Sequence, residues 1–111
     1  MADHTTDIEA LCDRVQAALR DVAASRTHER VWATHYGAVT IDPAHLVCWL
    51  VVQTEAERRR LEADAELTRR LRSVLDTLDY PASARAKAHI GFESEERVQR
   101  ETGGDYWRYW K

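Results

Sequence analysis

His45-Leu46-Val47-Cys48-Trp49-Leu50-Val51-Val52-Gln53 is the longest nearly unbroken apolar run in the chain. It is rich in the β-branched and aromatic residues that suit a pleated surface. Asp42-Pro43 bounds it on one side and Thr54-Glu55-Ala56-Glu57 on the other, which gives it the length of a strand. A strand that is apolar at both parities is covered on both faces or lies inside its sheet. The run therefore reads as the central strand.

Upstream, from Arg30 to Ile41, the apolar period is two. Val31, Ala33, His35, Gly37, Val39 and Ile41 fall on one face, and Trp32, Thr34, Tyr36, Ala38 and Thr40 on the other. Gly37 marks a bulge or bend. Asp42-Pro43-Ala44 supplies a turn, so the two strands are expected to form an antiparallel hairpin. Before them, Ile8, Leu11, Cys12, Val15, Leu19, Val22 and Ala23 recur at helical spacing behind Thr6-Asp7-Ile8-Glu9, a capping-box pattern. That predicts an amphipathic helix over 6–25.

Downstream, Thr54-Glu55-Ala56-Glu57 has the same capping form and opens a helical stretch to about Asp79, where Tyr80-Pro81 ends it. About 26 residues would span some 39 Å, more than strands of this length cover. A break is expected near Ala63-Asp64, with Asp64 capping the second segment. Ala86 to Glu93 alternates again, with Ala88, Ile90 and Phe92 inward. Ser94-Glu95-Glu96 reads as the cap and acidic first turn of a short helix to about Glu101. After Gly103-Gly104, the segment Tyr106-Trp107-Arg108-Tyr109-Trp110 is expected to form an edge strand.

The predicted fold class is α+β, a single domain over 1–111. It is a two-layer sandwich in α-β-β-α-β order with an added helix and strand, an antiparallel or mixed sheet, and helices on one face. With 111 residues the chain can bury a core without disulfide or metal. Cys12 and Cys48 fall on core faces and read as buried thiols of a reducing cytosol. A net charge of −3 argues against a general nucleic-acid binder. No apolar stretch reaches membrane-span length, and no basic region precedes an apolar run at the start, so a cytoplasmic protein without membrane contact is expected.

Catalytic and metal motifs are missing from the sequence. The five histidines show no ligand spacing, and there is no Cys-x-x-Cys, nucleophile elbow or phosphate-binding glycine loop. No catalytic residue, metal ligand or cofactor is assigned. Of the acidic cluster Glu93, Glu95 and Glu96, two fall in a helix first turn, where carboxylates complement the helix dipole, so the cluster reads as structural rather than as an acid–base pair. What stands out is aromatic surplus on the sheet face away from the helices. Trp32, Tyr36, Trp49 and His89, joined by Tyr106, Trp107, Arg108 and Trp110, make a candidate interface for a protein partner or a homodimer. Most of the arginines among Arg58, Arg59, Arg69, Arg70 and Arg72 have glutamates at helical spacing. Any that are left unpaired could contact phosphate.

The α-β-β-α-β order resembles the type II KH-like fold of ribosome-binding factor A, with its first helix, hairpin and long second helix. The resemblance is one of element order and carries RNA binding to no particular residue; an RNA- or ribosome-associated factor using the helix face of Arg58, Arg59, Arg69, Arg70 and Arg72 is a separate alternative expectation. The chain lacks the Gly-x-x-Gly clamp and the basic surplus. A second resemblance is to small bacterial proteins of immunity-partner type. It rests on Asp42-Pro43-Ala44-His45-Leu46, Tyr80-Pro81, Phe92-Glu93-Ser94-Glu95-Glu96 and Gly103-Gly104-Asp105-Tyr106-Trp107-Arg108-Tyr109-Trp110-Lys111. It implies a non-enzymatic protein-binding module of the kind that inhibits a bacterial toxin. A third expectation is a small-molecule-binding enzyme or sensor with a pocket lined by His35 or His89.

Overall fold

A computed structural model describes residues 4–110. The central apolar run forms β2 (Val47–Val52), flanked by β1 (Trp32–Tyr36) and β3 (His89–Ser94) in the order β1-β2-β3. β2 runs antiparallel to β1 and parallel to β3, so the sheet is mixed. A parallel neighbour requires a crossover, which α2 (Glu55–Glu62) and α3 (Ala65–Thr77) provide. The remaining elements are α1 (His4–Ala24), α4 (Glu95–Thr102) and α5 (Tyr106–Trp110).

α1 and α3 cover one face of the sheet. Cys12, Val15 and Leu19 of α1 meet Cys48, Leu50 and Val52 of β2, Leu67, Leu71 and Leu75 of α3, and Phe92 of β3. This core is aliphatic apart from Tyr80 and Phe92. Both cysteines are free and buried, and burial pushes the Cys48 thiol up to about 12, so it is not a nucleophile at neutral pH.

The helix break falls where the sequence places it. Asp64 accepts the Leu67 amide at 3.0 Å as N-cap of α3, and Arg26 donates to the same carboxylate at 2.7 and 3.1 Å. α1 extends over His4–Ala24, so its backbone is helical two residues before Thr6.

Two expectations are corrected. β1 stops at Tyr36, not Ile41. Gly37 has φ +124°, and a Cβ there would lie 2.0 Å from the His45 carbonyl oxygen. The chain folds back on itself at that point, leaving Val39 buried in the core and Ile41 80% exposed. Alternation alone does not reveal a glycine used for a positive φ.

The expected fourth strand is instead α5. Gly103 ends α4 in the left-handed conformation, and the Asp105 carboxylate accepts the Arg108 amide at 3.0 Å, capping a new helical turn. Tyr106 and Trp110 stand four residues apart, a spacing that suits one helix face as well as one strand face.

The β2–α2 junction is held by a side chain from outside it. Glu29 accepts the Gln53 and Thr54 amides at 2.8 and 2.9 Å and the Thr54 hydroxyl at 2.5 Å. Thr54 in turn caps α2 by accepting the Glu57 amide.

Candidate binding face

Strand parity puts Trp32, Thr34 and Tyr36, then Val47, Trp49 and Val51, then His89, Gly91 and Glu93 on the sheet face away from α1 and α3. Cross-strand register aligns Trp32 with Val51 and Glu93, and Thr34 with Trp49 and Gly91. α5 lies over this face. Tyr106 meets Trp32 edge-on at 5.2 Å, Trp107 packs on Tyr36 at 5.6 Å, and Trp110 stacks on Trp49 at 5.3 Å with planes 4° apart. Such pairs contribute about 0.5–1.5 kcal/mol each beyond the area they bury.

The polar edges of the rings are mostly satisfied. Trp32 Nε1 donates to Glu95 at 3.0 Å, and Trp49 Nε1 donates to the Tyr36 hydroxyl at 3.1 Å. Trp110 Nε1 is buried without a hydrogen-bond partner among the described residues. All four tryptophans and three of the four tyrosines thus belong to this side of the molecule. The opposite core uses only Tyr80 and Phe92.

The face is not bare. α5 leaves Trp32, Tyr36, Trp49, Tyr106 and Trp110 half-buried, while Trp107 remains 65% exposed. Arg108 is exposed at the end of the same turn. Of the interface residues expected from sequence, Trp32, Tyr36, Trp49, His89, Tyr106, Trp107 and Trp110 form one connected cluster.

Toward β3 the cluster opens into a cleft of about 540 Å³, whose lining includes Trp49, His89, Gly91, Glu93, Arg97, Tyr109 and Trp110. His89 packs on Trp49 at 4.8 Å, and burial together with nearby Arg72 holds its imidazole below the usual histidine range, favouring the neutral form. Arg97 lies over the Tyr109 ring at 5.6 Å. Glu93 is buried, accepts its own neighbour's Ser94 amide at 3.1 Å, and makes no ion pair among the described residues. Glu93, Arg97 and Tyr109 were not singled out from sequence as interface residues. Glu93 read only as the end of an alternating strand, and Arg97 and Tyr109 reach the cleft through α4 and α5 rather than through a strand.

His35 is on the other face. Its Nδ1 is 2.5 Å from Gln16 Oε1 and its Nε2 3.7 Å from Asp13, so it belongs to the α1 contact and lines no pocket with His89. The five arginines do not form one free basic surface. Arg58 is held by Glu55 at 2.5 and 2.8 Å and by Glu62 at 2.6 Å, and Arg72 donates to the carbonyls of Ala88 and Arg85. Arg59, Arg69 and Arg70 stand exposed. No cluster of three or more His, Cys, Asp or Glu side chains is placed to hold a metal among the described residues, and no described helix is long and apolar enough to cross a membrane. Comparison with protein-family models, curated proteins and solved structures finds no match to this chain.

Proposed function

We propose that the chain is a non-enzymatic protein-binding module, of the immunity-inhibitor kind, that engages its partner through α5 and the aromatic sheet face. The observation that carries this reading is Trp107, a tryptophan 65% exposed on top of a layer of half-buried rings. A large ring set in a rigid aromatic bed is the usual form of an interface anchor. If roughly 200 Å² of side-chain surface is taken for Trp, covering the exposed 65% would remove about 130 Å² from water, worth about 3 kcal/mol. That is the scale of a hot spot.

The test is a photo-crosslinking amino acid at position 107 in cells that naturally make the protein, followed by calorimetry on the purified pair. Trp107→Ala should weaken binding by at least about tenfold, the equivalent of 1.4 kcal/mol, with an unchanged circular dichroism spectrum. A purified partner that binds Trp107→Ala as tightly as the parent refutes the reading.

The cleft beside His89 favours a second reading, a small-molecule sensor. Its volume of about 540 Å³ lies within the usual range for ligand pockets. A ligand found by thermal shift whose binding survives His89→Ala unchanged would exclude the use of that cleft.

A further inference from the structure

Rings hold α5 to the sheet. Its backbone bonds stay local, the Tyr109 amide donating to the Asp105 carbonyl and the Arg108 amide to the Asp105 carboxylate. Among the described residues no backbone hydrogen bond joins α5 to a strand, and none of its residues is fully buried. A single helical turn does not stand by itself in water, so α5 keeps its place through Tyr106 on Trp32, Trp107 on Tyr36 and Trp110 on Trp49. Gly103 closes α4, and Gly104 follows it with φ +99°. The Gly104 amide still reaches the Val98 carbonyl, at 3.4 Å, so rotation about the Gly104 φ would swing α5 without disturbing the end of α4.

The contact is unequal on its two sides. Trp32 Nε1 donates to Glu95 and Trp49 Nε1 to Tyr36, neither of which belongs to α5, so the sheet rings keep these hydrogen bonds whether or not α5 is seated. Trp110 Nε1 is the buried donor without a partner. Lifting α5 gives that N–H to water, which partly offsets the lost stacking. The aliphatic core lies across the sheet and contains no residue of α5, so α5 can separate while the core stays packed. α5 also supplies Tyr109 and Trp110 to the cleft of about 540 Å³, facing Trp49, His89 and Glu93 of the sheet. The cleft has that wall only when α5 is seated.

We infer that α5 is a hinged strap that swings about Gly104 as one unit, uncovering Trp32, Tyr36 and Trp49 and dismantling the cleft. The inference goes beyond the protein-binding reading and requires no partner. Seated, the strap presents Trp107 and completes the cleft; lifted, it bares sheet rings whose polar edges are already satisfied. A molecule that binds across Trp107 and the sheet, or fills the cleft, holds the strap shut in proportion to its preference for that state.

The test is hydrogen exchange of the indole N–H groups in the full chain, free of any partner, read by NMR at rising low concentrations of urea. The Trp49 and Trp110 indole protons should exchange through one opening with little dependence on urea. That opening should occur at least about a hundredfold more readily than exchange of the β2 amides, which needs global unfolding and should rise steeply with urea. Gly104→Ala puts an L side chain at a φ that only the seated strap requires. It should speed both indole protons by about tenfold, the scale of that strain. The inference is overturned if the two indole protons exchange only along with the β2 amides, or if their urea slopes differ. It is overturned equally if Gly104→Ala leaves their rates unchanged, because fraying of Trp110 that does not turn Gly104 relieves no strain there. A Trp107-dependent partner can be found whichever way this exchange runs, so the two proposals fail separately.

Discussion

Replacing Glu29 with alanine removes three hydrogen bonds at once, from the Gln53 amide, the Thr54 amide and the Thr54 hydroxyl. Each bond to a charged group contributes about 1.5 kcal/mol or more when formed, so their gross sum is about 4.5 kcal/mol. The site is only part-buried, and water reaching the freed groups recovers some of that. A net loss of about 2–3 kcal/mol is expected, a large share of the 5–15 kcal/mol typical of a domain. At about 4 °C per kcal/mol for a chain of this size, Tm should fall by about 8–12 °C.

Urea denaturation followed by tryptophan emission reads this directly. The midpoint should drop with an unchanged m value, because the surface exposed on unfolding is the same. Glu29→Gln keeps one acceptor for the two amides and loses the charge, so it should fall between parent and alanine variant. An alanine variant within about 0.5 kcal/mol of the parent, the range of an ordinary surface change, would refute the clamp.

Three further outcomes follow from the geometry. Gly37→Ala should cost at least about 2 kcal/mol, since the new Cβ meets the His45 carbonyl backbone at a φ that L residues avoid; a midpoint equal to the parent's would show that the turn relaxes freely. Glu55 is held down to about 2 by Arg58 and then Ser94, and Glu57 to about 2 by Arg60 and then Thr27, against an ordinary value of 4.5. Depressed carboxylates stabilise the fold fully above about pH 4.5 and lose that contribution as pH falls toward 2, so urea midpoints should drop across this window and Glu55→Gln should flatten the drop. Trp110→Ala should abolish the exciton signal of the Trp49–Trp110 stack while leaving the aliphatic core's cooperative unfolding intact; an unchanged spectrum would contradict the stack.

The sheet and its helical cover were legible because their signals are periodic. The run Val47–Val52 is apolar at both parities because β2 has a neighbour on each side and cover on each face. Asp64 was readable as a cap because the apolar stripe needed a break there and the residue type suits it. The side of the sheet that carries Trp32, Tyr36 and Trp49 followed from parity alone.

What was hidden depends on contacts distant in sequence or on a single dihedral. Gly37 ends β1 through a positive φ that no alternation encodes. Glu29 looks like part of a polar linker until β2 and α2 bring Gln53 and Thr54 to it. Tyr106–Trp110 fits a strand and a helical turn equally well by spacing, and Asp105 and Gly103 decide for the helix. Glu93 hides in a strand whose alternation marks it only as facing away from the core.

The most direct test of the aromatic face as a recognition surface is fluorine NMR of the fluorotryptophan-labelled protein titrated with its crosslink-identified partner. The four indoles report separately. The resonance of Trp107 should lose its sensitivity to solvent isotope on complex formation and shift more than those of the half-buried Trp32 and Trp49. A complex in which Trp107 keeps its solvent exposure, and all four resonances stay where they were in the free protein, would contradict the account.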